Sequence, residues 1–299
     1  MKMFSGIIVA MVTPFEDDES VSTTRTAKLL DTLLEQDVAG IFILGTNGEA
    51  YAMSEDEKFE FAKFVIGYVN KRTKIIVGTG LETTRGTIAF SQRIAVLRPD
   101  ALSLITPSFM PPSQDELIGH YQAIASAVDI PCILYNMPGK TGINIDPASI
   151  AVLSRHPNII GLKDSSGKLD NFQGYLDNRA DDDFELIMGS DGRILQSLEM
   201  GGDAAIAGTG NLLTANLVRL YKAFKAGDMA VAQECQDNIQ PLREVLHAAT
   251  VPVSLKAAVS ESGVNVGPAR RPALMPKPGS DLAGRISQVV EQYRLTHVI

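Results

Sequence analysis

The sequence predicts an α/β fold, a (β/α)8 TIM barrel with a C-terminal helical extension, and three observations carry that prediction. Short apolar, β-branched runs alternate with longer segments of helical period through about residue 226. The runs number eight, and each is apolar on both faces, as strands buried in a parallel sheet are. In chain order the expected strands are Gly6–Val12, Gly40–Leu44, Lys74–Val77, Ala101–Ile105, Cys132–Tyr135, Ile159–Lys163, Phe184–Met188 and Ala204–Ala207. Helix starts support the segmentation. Ser54-Glu55-Asp56-Glu57 and Ser113-Gln114-Asp115-Glu116 fit the capping box, in which a hydroxyl and a glutamate satisfy two free backbone N–H groups. Asp146-Pro147 reads as a cap followed by proline at the first helical position, where its missing N–H is no loss. From about Asp228 the strands stop, and helical period continues through Ala230–Ala248, Val253–Ser262 and Gly279–Arg294. The expected division is therefore a catalytic barrel over residues 1–226 and a helical appendage over 227–299, with the Pro-rich stretch from Pro268 to Gly279 as a linker between the last two helices.

Composition narrows the functional classes. The 299 residues are 45% hydrophobic and 21% charged, with no Trp, which is ordinary for a globular chain able to bury a sizeable core. A formal charge of −8, with no Lys/Arg cluster, argues against nucleic acid as a partner. Two cysteines, Cys132 and Cys235, lie far apart without a CxxC spacing, so neither a disulfide framework nor a zinc site is expected. The histidines His120, His156, His247 and His297 are scattered, with exposed placement expected for most of them, which disfavours a metal-dependent enzyme. The opening Met1-Lys2-Met3-Phe4-Ser5-Gly6 lacks the apolar stretch of a signal peptide, and no apolar run is long enough to span a membrane, so the expected location is cytoplasmic.

The chemistry concentrates at the strand ends. In Ile159-Ile160-Gly161-Leu162-Lys163-Asp164-Ser165-Ser166-Gly167, a lysine closes an apolar run that reads as a buried strand. Withdrawing an ammonium from water favours the neutral amine, the form that attacks a carbonyl, so Lys163 is the expected Schiff-base nucleophile. Asp164 faces the other way, because neighbouring strand residues alternate. The bland reading is a lysine that snorkels to solvent. The fifth strand ends at Tyr135, whose hydroxyl is placed to move protons beside Lys163 on the adjacent strand; the bland reading is a core tyrosine. Gly45-Thr46-Asn47-Gly48-Glu49 after the second strand offers backbone N–H groups, a hydroxyl and an amide, a cradle suited to a carboxylate, although a plain tight turn reads the same way. Ser108 and Phe109 after the fourth strand, Lys140 after the fifth, Gly189 after the seventh and Ile206 in the eighth complete the expected substrate-binding set.

Taken together, Gly45–Glu49, Tyr135–Gly142 and Gly161–Gly167 resemble the dihydrodipicolinate synthase / N-acetylneuraminate lyase family of class I aldolases. The likeness extends to the opening Gly6–Phe15, to Gly78-Thr79-Gly80 and to Gly201-Gly202-Asp203-Ala204, and so covers essentially the whole chain. It implies a homotetramer that needs no metal or organic cofactor. Lys163 would form the imine, Tyr135 would relay protons, and Thr46 and Asn47, with Gly48, would hold the carboxylate of a 2-oxo acid such as pyruvate. Several positions depart from the synthase branch of that family. Phe109 stands where a second, relaying tyrosine is usual, with Ser108 beside it as a conceivable stand-in. Lys140 stands for an arginine and loses its planar, two-pronged grip on a carboxylate. Asn47 replaces the usual Thr or Ser, and Ala50, Glu55 and Lys58 do not support a lysine feedback site. The leading expectation is thus a lyase that cleaves, forms or dehydrates 2-oxo-3-deoxy sugar acids or hydroxy-oxoglutarates. The alternatives are a 4-hydroxy-tetrahydrodipicolinate synthase condensing pyruvate with aspartate semialdehyde, a metal-dependent aldolase, and an inactive barrel that only binds 2-oxo acids.

Overall fold

A computed structural model describes residues 2–299, so Met1 of the N-terminal reading lies outside the described residues. Eight parallel strands follow one another around a closed barrel in the order β1 to β8. They are β1 (Gly6–Ala10), β2 (Gly40–Ile43), β3 (Lys74–Gly78), β4 (Ala101–Ile105), β5 (Cys132–Asn136), β6 (Ile159–Asp164), β7 (Glu185–Met188) and β8 (Ala204–Ala207), alternating with helices as the sequence predicts. By contact the chain groups into two compact units, one of the residues up to Gly6 with Lys74–Ile206, the other of Ile7–Thr73 with Ala207–Ile299.

In the first unit, β3 to β8 pair in consecutive register, with Leu102 opposite Cys132, Tyr135 opposite Lys163, Asp164 opposite Met188 and Ile187 opposite Ala204. The register shifts at Cys132/Ile133, which staggers β5 against β6 by one residue. Leu102, Leu104, Leu134, Leu162, Leu186 and Ile187 are wholly buried, each stabilising the fold by about 1.5–3 kcal/mol relative to exposure. The N-terminal strand ends are closed by charge. The Glu185 carboxylate accepts the backbone N–H groups of Met3 and Phe4, and the Lys2 ammonium pairs with Asp203, whose other oxygen accepts Leu186 N–H at 2.8 Å.

In the second unit, Ile8 stands opposite Gly40 and Ala10 opposite Phe42. Both predicted capping boxes form: Ser54 with Glu57 opens the helix Glu55–Val69, and, in the first unit, Ser113 with Glu116 opens Gln114–Ser126. Asp146 is the N-cap of Pro147–Leu153, but its side chain makes no capping bond. The expected helix over Ala230–Ala248 is instead two, Met229–Asp237 and Gln240–Leu246. Pro241 explains the break, since it has no N–H to bond the Asp237 carbonyl four residues back, as a continuous helix would require. The Tyr293 hydroxyl spans the gap, accepting Leu242 N–H at 2.9 Å and donating to the Asn238 carbonyl at 2.7 Å. The helices Val253–Glu261 and Asp281–Leu295 follow, and no described helix is long and apolar enough to cross a membrane.

Candidate active site

Lys163 lies one residue before the end of β6 and is 4 % exposed. Its partner across the ladder is Tyr135, and paired residues of neighbouring parallel strands present their side chains to the same face. The Lys163 ammonium stands 3.9 Å from the centroid of the Tyr135 ring, a cation–π contact that holds the chain of the lysine over the ring face. On its other flank the lysine crosses Gly189, just past β7: a Cβ there would lie 2.8 Å from Lys163 Cε, and would also strike Ser165 Oγ. Glycine at 189 is therefore the condition for the lysine's path.

The next residues of both strands, Asn136 and Asp164, turn to the opposite face. Asp164 accepts Asn136 Nδ2 at 2.9 Å, Ser166 N–H at 3.0 Å and Ser166 Oγ at 2.7 Å. Burial raises the Asp164 pKa, against the hydrogen bonds that lower it. Asn136 Nδ2 also reaches Asn144 and the Tyr175 hydroxyl, and that hydroxyl donates to the Ile145 carbonyl at 2.5 Å. This network fixes the ends of β5 and β6 against each other and keeps the Asp164 charge on the face away from the amine. Sequence reasoning did not find it beyond the alternation at Asp164, because its members are spread over 40 residues with no motif.

In the other unit, Gly45–Glu49 forms a tight turn bracketed by two left-handed residues, Leu44 at φ 58° and Glu49 at φ 54°. Non-glycine residues in that region are held there by their surroundings. Glu49 N–H bonds to the Thr46 carbonyl at 3.2 Å, and Thr13 Oγ1 donates to the Gly48 carbonyl at 2.6 Å. Thr46 and Asn47 remain partly exposed, and the Asn47 amide packs directly on the α-carbon of Gly208, just past β8, where any side chain would collide with it. Ile206 is buried within β8.

The remaining expected residues are exposed. Lys140 sits on the short helix Pro138–Thr141, and Phe109 is 85 % exposed. Ser108 donates its hydroxyl to Glu82 at 2.6 Å and its N–H to the same carboxylate at 2.9 Å, so that hydroxyl is already committed. Among the histidines, His120 is buried rather than exposed, bonded to Thr84 at 2.9 Å, while His247 and His297 are exposed. No cluster of three or more His, Cys, Asp or Glu residues able to hold a metal occurs among the described residues. Both cysteines are buried thiols, and burial pushes Cys132 up to about 12.

An eight-stranded parallel barrel with a lysine buried at the end of its sixth strand has the architecture of a class I aldolase, a lyase that works through a Schiff base. The family model described as the Dihydrodipicolinate synthetase family matches residues 3–281, and the chain belongs to that family. A 4-hydroxy-tetrahydrodipicolinate synthase of Listeria monocytogenes is 35% identical over 268 residues, 89% of this chain and 91% of its own. Among solved structures, a dihydrodipicolinate synthase from Bacillus anthracis superposes with a TM-score of 0.93 at 28% identity, covering 97% of this chain and 99% of its own. The chloride-inhibited synthase of Acinetobacter baumannii, complexed with pyruvate, gives a TM-score of 0.91 at 30% identity, covering 99% of this chain and 100% of its own.

Proposed function

We propose that this chain condenses a pyruvate imine, formed on Lys163, with an aldehyde, in the manner of a 4-hydroxy-tetrahydrodipicolinate synthase, for which the aldehyde is aspartate semialdehyde. One observation carries the reading: the Lys163 amine is buried, laid over the Tyr135 ring and given its path by Gly189, while the adjacent carboxylate is bonded on the opposite face. In the proposed sequence the neutral amine adds to C2 of pyruvate. Tyr135 passes protons so that the carbinolamine oxygen leaves as water. Loss of a methyl proton from the protonated imine gives the enamine, whose carbon attacks the aldehyde, and hydrolysis returns the free lysine. The Thr46–Asn47–Gly48 turn is assigned the carboxylate, which orients the reacting carbon. The names borne by the relatives favour this partner over the sugar acids.

A second reading keeps the imine but changes the partner to a 2-oxo-3-deoxy sugar acid or hydroxy-oxoglutarate, cleaved or dehydrated. It is favoured by Phe109, which carries no hydroxyl to relay a proton, by the exposed Lys140 in place of an arginine, and by Asn47. The assembly proposed is a homotetramer, read by sedimentation equilibrium.

The test is intact-protein mass spectrometry after pyruvate and borohydride, followed by peptide mapping. A reduced pyruvate adduct on Lys163, absent from Lys163→Ala, supports the mechanism; an adduct elsewhere, or none from a folded chain, removes it. Pyruvate consumption with aspartate semialdehyde, set against pyruvate release from a panel of 2-oxo-3-deoxy sugar acids, then decides between the two partners.

A further inference from the structure

Lys256 sits within the Val253–Glu261 helix in the run Val-Ser-Leu-Lys-Ala-Ala-Val, and its side chain and that of Glu49 are both 0 % exposed. Its ammonium stands 2.6 Å from Glu49 Oε1, donates to the Pro268 carbonyl at 2.7 Å and lies 4.1 Å from the centroid of the Phe15 ring. The second oxygen of Glu49 accepts the backbone N–H of Arg270 at 2.8 Å. The Arg270 guanidinium lies 4.4 Å from the centroid of the same Phe15 ring, grips both oxygens of Glu57, and donates to the carbonyls of Ala52 and Glu19. A charge pair withdrawn this far from water persists only when its geometry is tight and its remaining donors and acceptors are satisfied, and losing one partner strands the other charge. Burial pulls the Lys256 ammonium down to about 8 against the opposing pull of Glu49.

The placement is what gives the network a role. Glu49 is the left-handed residue that ends the Thr46–Asn47–Gly48 turn, and Ala52 and Glu57 follow it into the next helix. Two residues from the last quarter of the chain thus hold the turn's exit at its carboxylate and, through Ala52 and Glu57, the segment behind it. A left-handed glutamate with a loosened side chain would relax toward ordinary backbone angles and turn the Gly48–Glu49 peptide.

We infer that Lys256 and Arg270 are positioning residues for 2-oxo acid binding, fixing Glu49 and thereby the turn that takes the carboxylate. The identity of the ligand rests on the function proposed above; the ordering of the turn rests on the geometry alone.

The experiment uses the full-length chain and its Lys256→Met variant, together with the charge-free double variant Glu49→Leu/Lys256→Met, in which no unpaired buried charge is left to unfold the protein. Pyruvate half-saturation of borohydride-trapped Lys163 is expected to rise at least about tenfold, with trapping at saturation changed less than about twofold. Amide exchange over residues 45–52 is expected to quicken in the same variants. Tyr293→Phe, which loosens the C-terminal helices without touching the turn, serves as the control and leaves half-saturation unchanged. An unaltered half-saturation in both Lys256 variants overturns the inference, as does an equal rise in Tyr293→Phe. Should the unmodified chain trap no pyruvate, the proposed function fails, and exchange over 45–52 judges the positioning by itself: faster exchange in the variants upholds it, and unchanged exchange rejects it. If Lys256→Met does not fold, the double variant supplies both readings.

Discussion

Glu185 gives the fold a stability that depends on pH in a direction opposite to most carboxylates. It begins β7, is 2 % exposed, and accepts Phe4 N–H at 3.0 Å. Burial pushes its carboxyl up to about 7, and the charge of Asp203 adds to this, while the N–H bonds of Phe4 and Met3 and the charge of Lys74 oppose it. Unfolded, the group titrates near its ordinary value of 4.5. Between pH 4.5 and about 7 the native state therefore holds a proton that the unfolded chain has released, so stability falls as pH rises through that window. The gap between the two values, at 1.36 kcal/mol per pH decade, amounts to about 3 kcal/mol. Urea melts of the unmodified chain and Glu185→Gln at pH 5, 6, 7 and 8 isolate the effect, since every other carboxylate titrates in both. The difference in unfolding free energy between glutamate and glutamine should move by about 2–3 kcal/mol across the series, roughly 3–5 °C in melting temperature for a chain of this length, in the direction that disfavours glutamate at high pH. Parallel profiles for the two proteins, or a difference that moves the other way, would refute the argument.

Three further outcomes follow from the geometry. Gly189→Ala places a methyl group 2.8 Å from Lys163 Cε, and the displaced lysine should lower turnover about a hundredfold while the circular dichroism spectrum is kept; a loss under threefold would show that the lysine's path is not set there. The Glu57 carboxyl is held down to about 2, chiefly by its hydrogen bond to Arg270, so the stability it contributes is present above 4.5 and is lost as pH falls toward 2. Because that pair is partly exposed, Glu57→Gln should cost about 1 kcal/mol at neutral pH and flatten the acid limb of the melting curve, measured between pH 4.5 and 2. Tyr175→Phe removes the donor to Ile145 and an acceptor for Asn136 and Asn171, and should destabilise by about 1–3 kcal/mol in urea titration, with turnover falling as the Asp164 network loosens.

Which parts of this molecule could be read in the sequence follows from how far apart the cooperating residues lie. The strands were legible because burial on both faces writes itself into four to six consecutive residues, and seven of the eight expected strand ends fall within one residue of the observed ones. The capping boxes were legible for the same reason, since both partners lie within four residues. Lys163 and Tyr135 could be brought together from the strand order alone, because adjacent strands in a barrel align their ends. The break at Pro241 was missed although the proline was in plain view, since helical period continues on both sides of it. The partnership of Ser108 with Glu82 and that of Glu185 with the N-terminal amides depend on loop paths that no local pattern records. Lys256 did leave a trace, a lysine in a helix whose neighbours are all apolar or small, but its partner is 207 positions away.

The grouping of Ile7–Thr73 with Ala207–Ile299 bears on the order in which the chain becomes a protein. The stretch from Lys74 to Ile206 is contiguous, and β3 to β8 can meet their neighbours as they are made. The opening strands have no such luxury: their unit is completed only after more than half the chain has been synthesised, which places the slow, entropically costly closure last. Glu49 emerges early and waits, solvated, for Lys256 and Arg270. The turn that carries Thr46 and Asn47 therefore cannot acquire the buried anchor at its exit until Lys256 and Arg270, more than 200 residues later in the chain, have been made.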